Sequence, residues 1–339
     1  MDSQAALSDL FGPAAVGKPG PVSRGAATFP PPARPLPRLI AGTPVGARTA
    51  RKPSPHKTII PERFVMPGSE LYENFMALHT REGGLVMPNA WDGLSALMLA
   101  DAGFEAIATS SAALATTLGR SDGRHEVTCG EHLEHARLLG RLTGLAVNGD
   151  FEDGYGDTPE DVAATVEAAV ESGLAGIGIE DTSGNPDQPI RDFDEAVNRI
   201  RSAVEAAKGR IVVTGRTDNF IQGRPDLDDT IRRLTAFAEA GADVLYAPYP
   251  PDLDALVAIV TAVAPKPVNV LISPADDVLT VAELQKAGVK RISVGPALYT
   301  HAMEALEQAI KALVAGDLAT ATTGTSFERI SELLARGTN

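Results

Sequence analysis

Eight short apolar runs, recurring about every thirty residues and separated by amphipathic stretches, restrict this chain to very few folds. They are Leu85-Val86-Met87, Ala106-Ile107-Ala108, Leu145-Ala146-Val147, Gly176-Ile177-Gly178-Ile179, Ile211-Val212-Val213, Val244-Leu245-Tyr246, Val268-Asn269-Val270-Leu271 and Ile292-Ser293-Val294. Each is continuous rather than alternating, the pattern of a parallel strand covered on both faces. The segments between them, such as 159–171 and 227–240, carry the period of an amphipathic helix. Gly103, Gly173, Gly241 and Gly288 recur at the same point of the repeat, where a helix ends and the next strand begins. Eight strand–helix units in about 250 residues predict an α/β fold, a (β/α)8 TIM-type barrel over residues 70–318 with a C-terminal helical extension over 319–339. An open doubly wound sheet would suit the same alternation, but no glycine-rich dinucleotide fingerprint follows any run.

The start of the chain does not share this pattern. Residues 1–66 hold nine Lys/Arg against three Asp/Glu and about half of the 25 prolines. Such a segment cannot bury enough apolar surface to order itself, so it reads as a disordered Pro/Arg-rich tail. It lacks the apolar core of a secretory signal, and its prolines oppose the amphipathic helix of an organelle transit peptide. The single cysteine, Cys129, excludes a disulfide framework and fits a reducing, cytoplasmic setting. A net charge of −14, concentrated after residue 66, disfavours nucleic acid or an anionic membrane as partner. No apolar run approaches the ~20 residues of a membrane span.

A barrel sorts the polar residues, because its chemistry sits at the C-terminal strand ends and in the loops that follow them. Asn89, Trp91 and Asp92 follow the first run, and Ser110, Ser111 and Ala112, then Asp122, follow the second. The third run leads into Gly149-Asp150-Phe151-Glu152-Asp153-Gly154-Tyr155-Gly156-Asp157, four acidic residues within nine positions. Glu180 and Asp181 follow the fourth run, Arg216, Asp218 and Asn219 the fifth, and Tyr246 ends the sixth. Like charges packed this closely call for a cation. A site of carboxylates without histidine or cysteine ligands suits Mg2+ or Mn2+. An arginine opposite the metal can grip a substrate carboxylate with both arms, and a chelated 2-oxo acid is thereby set up to form an enolate.

Rival chemistries lack their residues. An imine mechanism needs a lysine at a strand's C-terminal end, whereas Lys208, Lys266 and Lys290 precede their strands. Ser110 and Ser111 sit in no Gly-x-Ser-x-Gly elbow and are expected to donate hydrogen bonds instead. His132 and His135, spaced i,i+3 on a helix, are expected at its surface rather than on zinc. Asp153, Asp157 and Asp181 have a plain alternative as helix caps, with Asp157 before Thr158-Pro159 the best placed for it.

Five segments, taken in order, resemble the isocitrate lyase/phosphoenolpyruvate mutase family. They are Pro88-Asn89-Ala90-Trp91-Asp92, Leu118-Gly119-Arg120-Ser121-Asp122, Asp150-Phe151-Glu152-Asp153-Gly154-Tyr155-Gly156, Gly178-Ile179-Glu180-Asp181 and Gly215-Arg216-Thr217-Asp218. The resemblance implies Mg2+-dependent making or breaking of C–C or P–C bonds in 2-oxo acids and related carboxylates. It further implies Asp150 as the direct metal ligand, with Glu152 and Glu180 completing the metal site. Glu180 and Asp122 would reach the metal through water and, with Arg216, serve catalysis. Arg216, Ser110, Ser111, Ala112 and Trp91 would hold the substrate. A homo-oligomer, dimer or tetramer, is implied as well, with the segment from Pro296 onward exchanged between copies. The chain departs from the family's lyases in the loop 181–189, which has no Cys, Lys or His, and at 246–250, where their glutamate is missing. Thr182 also replaces the lysine of the mutases. The expected function is a Mg2+-dependent lyase that cleaves or decarboxylates a small 2-oxo or hydroxy di-acid through an enolate. P–C bond chemistry is one alternative, and a non-catalytic carboxylate-binding barrel is another.

Overall fold

The computed structural model describes residues 68–272 and 279–337. The expected disordered tail over 1–66 lies outside the described residues. Helix α1 (Gly68–Thr80) leads into eight strands, β1 (Leu85–Val86), β2 (Ala106–Ala108), β3 (Ala146–Asp150), β4 (Gly176–Glu180), β5 (Val212–Arg216), β6 (Val244–Tyr246), β7 (Val268–Val270) and β8 (Arg291–Ile292). Each contains or overlaps one of the eight apolar runs. All neighbours pair in parallel, in the order β1-β8-β7-β6-β5-β4-β3-β2. The two edge strands meet through a parallel bridge between Asn89 and Ala108, with Ala90 N donating to Ala108 O at 2.8 Å. Eight parallel strands curl in this way inside a ring of helices, an arrangement consistent with the TIM-type fold.

The helices between the strands are α2 (Gly93–Asp101), α3 (Ser111–Thr117), α4 (Cys129–Thr143), α5 (Pro159–Glu171), α6 (Phe193–Ala207), α7 (Leu227–Glu239), α8 (Leu253–Val263) and α9 (Val281–Lys286). Their starts are written in short polar side chains: Thr128, Thr158 and Thr280 each form a reciprocal capping box with the acidic residue three positions on. Their ends use the recurring glycines, since Gly103, Gly173, Gly241 and Gly288 take φ of 88°, 76°, 105° and 93° directly after a helix. The apolar faces of α4 to α8 pack onto Val147, Ile177, Ile179, Val213 and Leu245. Helix α1 closes the opposite end, where Phe75 fills the space among Leu85, Met87, Ala106, Ala108, Val212 and Val244.

Three further helices follow the barrel: α10 (Ala297–Val314), α11 (Leu318–Ala321) and α12 (Phe327–Gly337). Helix α12 folds back on α2, with Leu333 buried and both Arg329 and Arg336 paired to Asp101. Helix α10 buries none of its residues. Among the described residues, no helix is long and apolar enough to cross a membrane.

Candidate active site

Parallel register places three strand ends side by side. Asp150 closes β3 opposite Gly178, and Glu180 closes β4 opposite Arg216 of β5. The Arg216 guanidinium lies between them. Its Nε and Nη2 donate to the two oxygens of Asp218 at 2.6 and 2.8 Å. Its Nη1 is 2.9 Å from Glu180 Oε2 and 3.4 Å from Asp150 Oδ1. Below it lies the Tyr246 ring, 5.3 Å from the guanidinium carbon. One cation among three carboxylates leaves the cluster short of positive charge. Glu180 accordingly sits well above the ordinary carboxylate range: burial raises it, Arg216 opposes, and Asp218 and Asp150 add to the rise. Asp218 is raised by burial as well.

Asp150 is the most open of the three, its side chain 24% exposed against 9% for Glu180 and 3% for Asp218. Its Oδ2 accepts from the Ser111 amide at 2.9 Å and the Ser111 hydroxyl at 3.0 Å, so the start of α3 aims it. Ser110 serves differently, as the N-cap of α3, accepting from Ala113 N at 3.3 Å. Ala112 lies in the first turn beside it. Asp122 stands on the exposed lip, yet protein packed around its carboxyl and the charge of Asp150 push it up to about 6, against hydrogen bonding from Ser111. The Trp91 ring packs edge-to-face on Tyr299, with ring centroids 5.7 Å apart.

Glu152 turns to a second group of residues. It takes φ 48°, its Oε1 accepts from the Tyr155 hydroxyl at 3.3 Å, and its Oε2 is buried without a hydrogen bond. His125 lies 3.9 Å and His132 3.8 Å from its oxygens. Burial first, then the charge of Asp122, push Glu152 up to about 7. Non-glycine residues rarely adopt positive φ, and among the described residues His125, Glu152, Tyr155 and Tyr249 all do so on this rim. Gly156 answers a steric need in the same turn, since a Cβ there would come 2.3 Å from Asp161.

Two of the acidic residues that could have capped helices are structural braces instead. Asp153 receives Arg191 Nη2 at 2.7 Å and binds His125 Nε2 at 2.8 Å, while its carbonyl takes Arg199 Nη2 at 2.8 Å. Asp181 accepts from Thr217 Oγ1 at 2.7 Å, from Asp218 N at 2.9 Å and from Arg233 Nη1 at 3.2 Å. Thr158, not Asp157, caps α5, because its hydroxyl reaches the amide of Asp161. His132, expected at the helix surface, is 1% exposed and packs on Phe151 and Tyr155. Burial holds His132 below its ordinary value.

The structure thus brings together Asp150, Glu180, Arg216 and Ser111, with Asp122 beside them, and adds Asp218. Among the described residues, no three His, Cys, Asp or Glu side chains are grouped closely enough to ligate one ion directly. Asp150, Glu152 and Glu180 are therefore not gathered as one direct ligand set. Sequence reasoning placed Asp218 on the rim without a role, and its position two residues after Arg216 was the available signal. Asn89 went unassigned, although it ties three rim segments, donating to Thr109 O at 2.6 Å and accepting from the amides of Val294 and Gly295 at 3.1 and 2.9 Å.

The phosphoenolpyruvate phosphomutase family model matches residues 75–314. The chain belongs to the phosphoenolpyruvate mutase/isocitrate lyase family. A Burkholderia cenocepacia J2315 crystal structure, described provisionally as a lyase/mutase, is 41% identical with a TM-score of 0.74, covering 79% of this chain and 96% of its own. An oxaloacetate decarboxylase of Paraburkholderia xenovorans (strain LB400) is 30% identical over 264 residues, 74% of this chain and 85% of the relative. An oxaloacetate acetylhydrolase in complex with its product oxalate is 27% identical with a TM-score of 0.71, covering 79% of this chain and 95% of that one. As a member of the family, this protein is an enzyme of its lyase and mutase chemistry.

Proposed function

We propose that this enzyme is a divalent-metal-dependent lyase that cleaves or decarboxylates a small 2-oxo di-acid, with oxaloacetate the first candidate. The observation that carries the reading is the half-open Asp150 carboxylate set 3.4 Å from the Arg216 guanidinium at the strand ends. Two relatives bear oxaloacetate in their names, and both span most of the barrel. The donor set fits Mg2+ or Mn2+: it is all carboxylate, and Glu180, Asp122 and Glu152 are each raised partly by mutual repulsion that a cation would relieve. Asp150 would hold the ion directly, and Glu180, Asp122 and Glu152 through water. The bound metal would polarise the 2-oxo group and stabilise enolate charge. Arg216 would grip the substrate carboxylate with the arm it now extends to Glu180 and Asp150, while Asp218 keeps the other two donors and fixes the plane of the fork. Ser111, flanked by Ser110 and Ala112, keeps Asp150 oriented. The raised carboxyls of Glu180 and Asp122 can carry a proton near neutral pH and return it to the enolate carbon.

The test is a panel of oxaloacetate, methylisocitrate, dimethylmalate, phosphonopyruvate and phosphoenolpyruvate, each with Mg2+ and with chelator. Metal-dependent turnover of oxaloacetate is the expected result. Turnover that survives chelation would overturn the metal assignment, and turnover confined to phosphonopyruvate would replace C–C with P–C chemistry.

We also infer self-association, in keeping with a cytoplasmic homo-oligomer. Helix α10 presents Leu306, Ile310 and Leu313 at 51%, 50% and 56% exposure, an apolar stripe at helical spacing. Sedimentation velocity should show more than one copy per particle, and Ile310→Glu should dissociate it.

A further inference from the structure

The interior of the barrel holds a second arginine, Arg291 at the start of β8, that is 2% exposed and has no carboxylate partner among the described residues. Its side chain crosses the barrel. Nη1 reaches Asn148 Oδ1 of β3 at 3.4 Å and Nη2 reaches Thr214 Oγ1 of β5 at 3.2 Å, although β8 pairs only with β1 and β7. The third contact is His79 Nε2 of α1, 3.4 Å from Nη1. His79 binds the Phe75 carbonyl through Nδ1 at 2.8 Å, so a neutral ring donates there and accepts from Arg291. Burial and the charge of Arg291 hold His79 down to about 3, which keeps it neutral. Nε of Arg291 finds no partner, nor does Asn269 Oδ1 of the adjoining strand. A buried charge is normally paired, and among the described residues this one is met by neutral dipoles.

Side chains two residues apart on a strand share a face, so Asp150 stands above Asn148 and Arg216 above Thr214, by about 7 Å along the strand. Arg291 therefore contacts the residues one strand repeat beneath Asp150 and Arg216. The catalytic cluster has one guanidinium, and Asp218 already engages two of its donors. Besides the metal and Arg216, a di-acid approaching it would meet the carboxyls of Asp150, Glu180, Asp122 and Glu152.

We propose that Arg291 is an electrostatic positioning residue, a guanidinium with no carboxylate partner among the described residues, whose positive potential helps to hold a dicarboxylate at the cluster above it. The inference rests on the carboxylate-binding role given to Arg216 above. A unit charge one layer away across protein changes affinity by roughly tenfold or more. The experiment is calorimetric titration of oxalate in the presence of Mg2+, with thermal unfolding in parallel, on wild type, Arg291→Met, Arg291→Lys, Arg291→Gln and Arg216→Lys. Arg291→Met should bind oxalate at least tenfold more weakly while its thermal midpoint holds or rises, because a buried charge with no carboxylate partner among the described residues is gone. Arg291→Lys should recover most of the affinity. Where the Met variant does not fold, Arg291→Gln gives the same reading. Wild-type oxalate affinity in a folded neutral variant overturns the proposal, as does a folded Lys variant that binds no better than Met or Gln. Failure of both neutral variants to fold overturns it in favour of a scaffold role. Unchanged oxalate affinity in Arg216→Lys would instead refute the site reading, which separates the two failures.

Discussion

Two halves of the acidic rim carry the same residue types and behave in opposite ways. In one half, Asp153 and Asp229 are each met by arginines: Asp153 by Arg191 and Arg199, Asp229 by Arg232 and Arg233. Hydrogen bonds from His125 and Arg191 take Asp153 below its ordinary range against the effect of burial, and Arg233 and Arg232 do the same for Asp229. In the other half, Asp150, Glu180 and Asp218 share Arg216, while the charge of Asp150 bears on Asp122 and that of Asp122 on Glu152. There burial wins for Glu180, Asp218, Asp122 and Glu152, whose carboxyls rise. Neutralised carboxylates hold loops in place, whereas under-neutralised ones are available to a metal and a substrate. Asp181 is a brace held by Arg233 even though burial raises it to about 6, so its partners in space, more than its identity, separate brace from site.

The sharpest way to break this division is Asp150→Ala. Metal-dependent turnover should fall by about a thousandfold or more, equivalent to about 4 kcal/mol of transition-state stabilisation. The thermal midpoint should hold, since a repulsive charge has been removed. Retained metal-dependent turnover would move Asp150 out of the site.

Asp153→Ala probes the other half and should do the reverse. It leaves Arg199 buried without its carboxylate and Arg191 with Glu195 alone, a loss of about 3–5 kcal/mol in denaturant unfolding. Turnover per folded molecule, measured well below the midpoint, should change little. A stable but inactive variant would place Asp153 in the chemistry instead.

Arg216→Lys tests the shared cation. An ammonium keeps the charge and loses the fork, so KM should rise by roughly ten- to a hundredfold, about 1.4–2.7 kcal/mol. An unaltered KM would remove Arg216 from substrate binding.

The smallest effect concerns pH. The hydrogen bond to Asp153 raises His125 above its ordinary value of 6.5, against partial desolvation. A raised histidine stabilises the fold fully below 6.5, and that contribution fades as pH climbs through the higher folded value. Wild type should therefore lose a little stability just above pH 6.5 that His125→Asn does not lose. Parallel pH profiles for the two would show that the pair contributes nothing.

The sequence by itself determined the strand–helix alternation, the parallel sheet and the residues that reach the rim. Those are local matters: apolar runs, capping threonines and C-terminal glycines act within a few residues of one another, and strand order follows from short crossovers. Asp150, Glu180 and Arg216 were legible for that reason, each ending an apolar run. Only the tertiary structure decided that Glu152 turns toward Tyr155, that Asp153 and Asp181 are braces and that His132 is buried. It alone showed that Arg291 crosses the barrel to Asn148 and Thr214, more than seventy residues away along the chain in both cases. Charge balance sums over every neighbour in space, and those neighbours come from strands and helices far apart in sequence, so no local pattern records it.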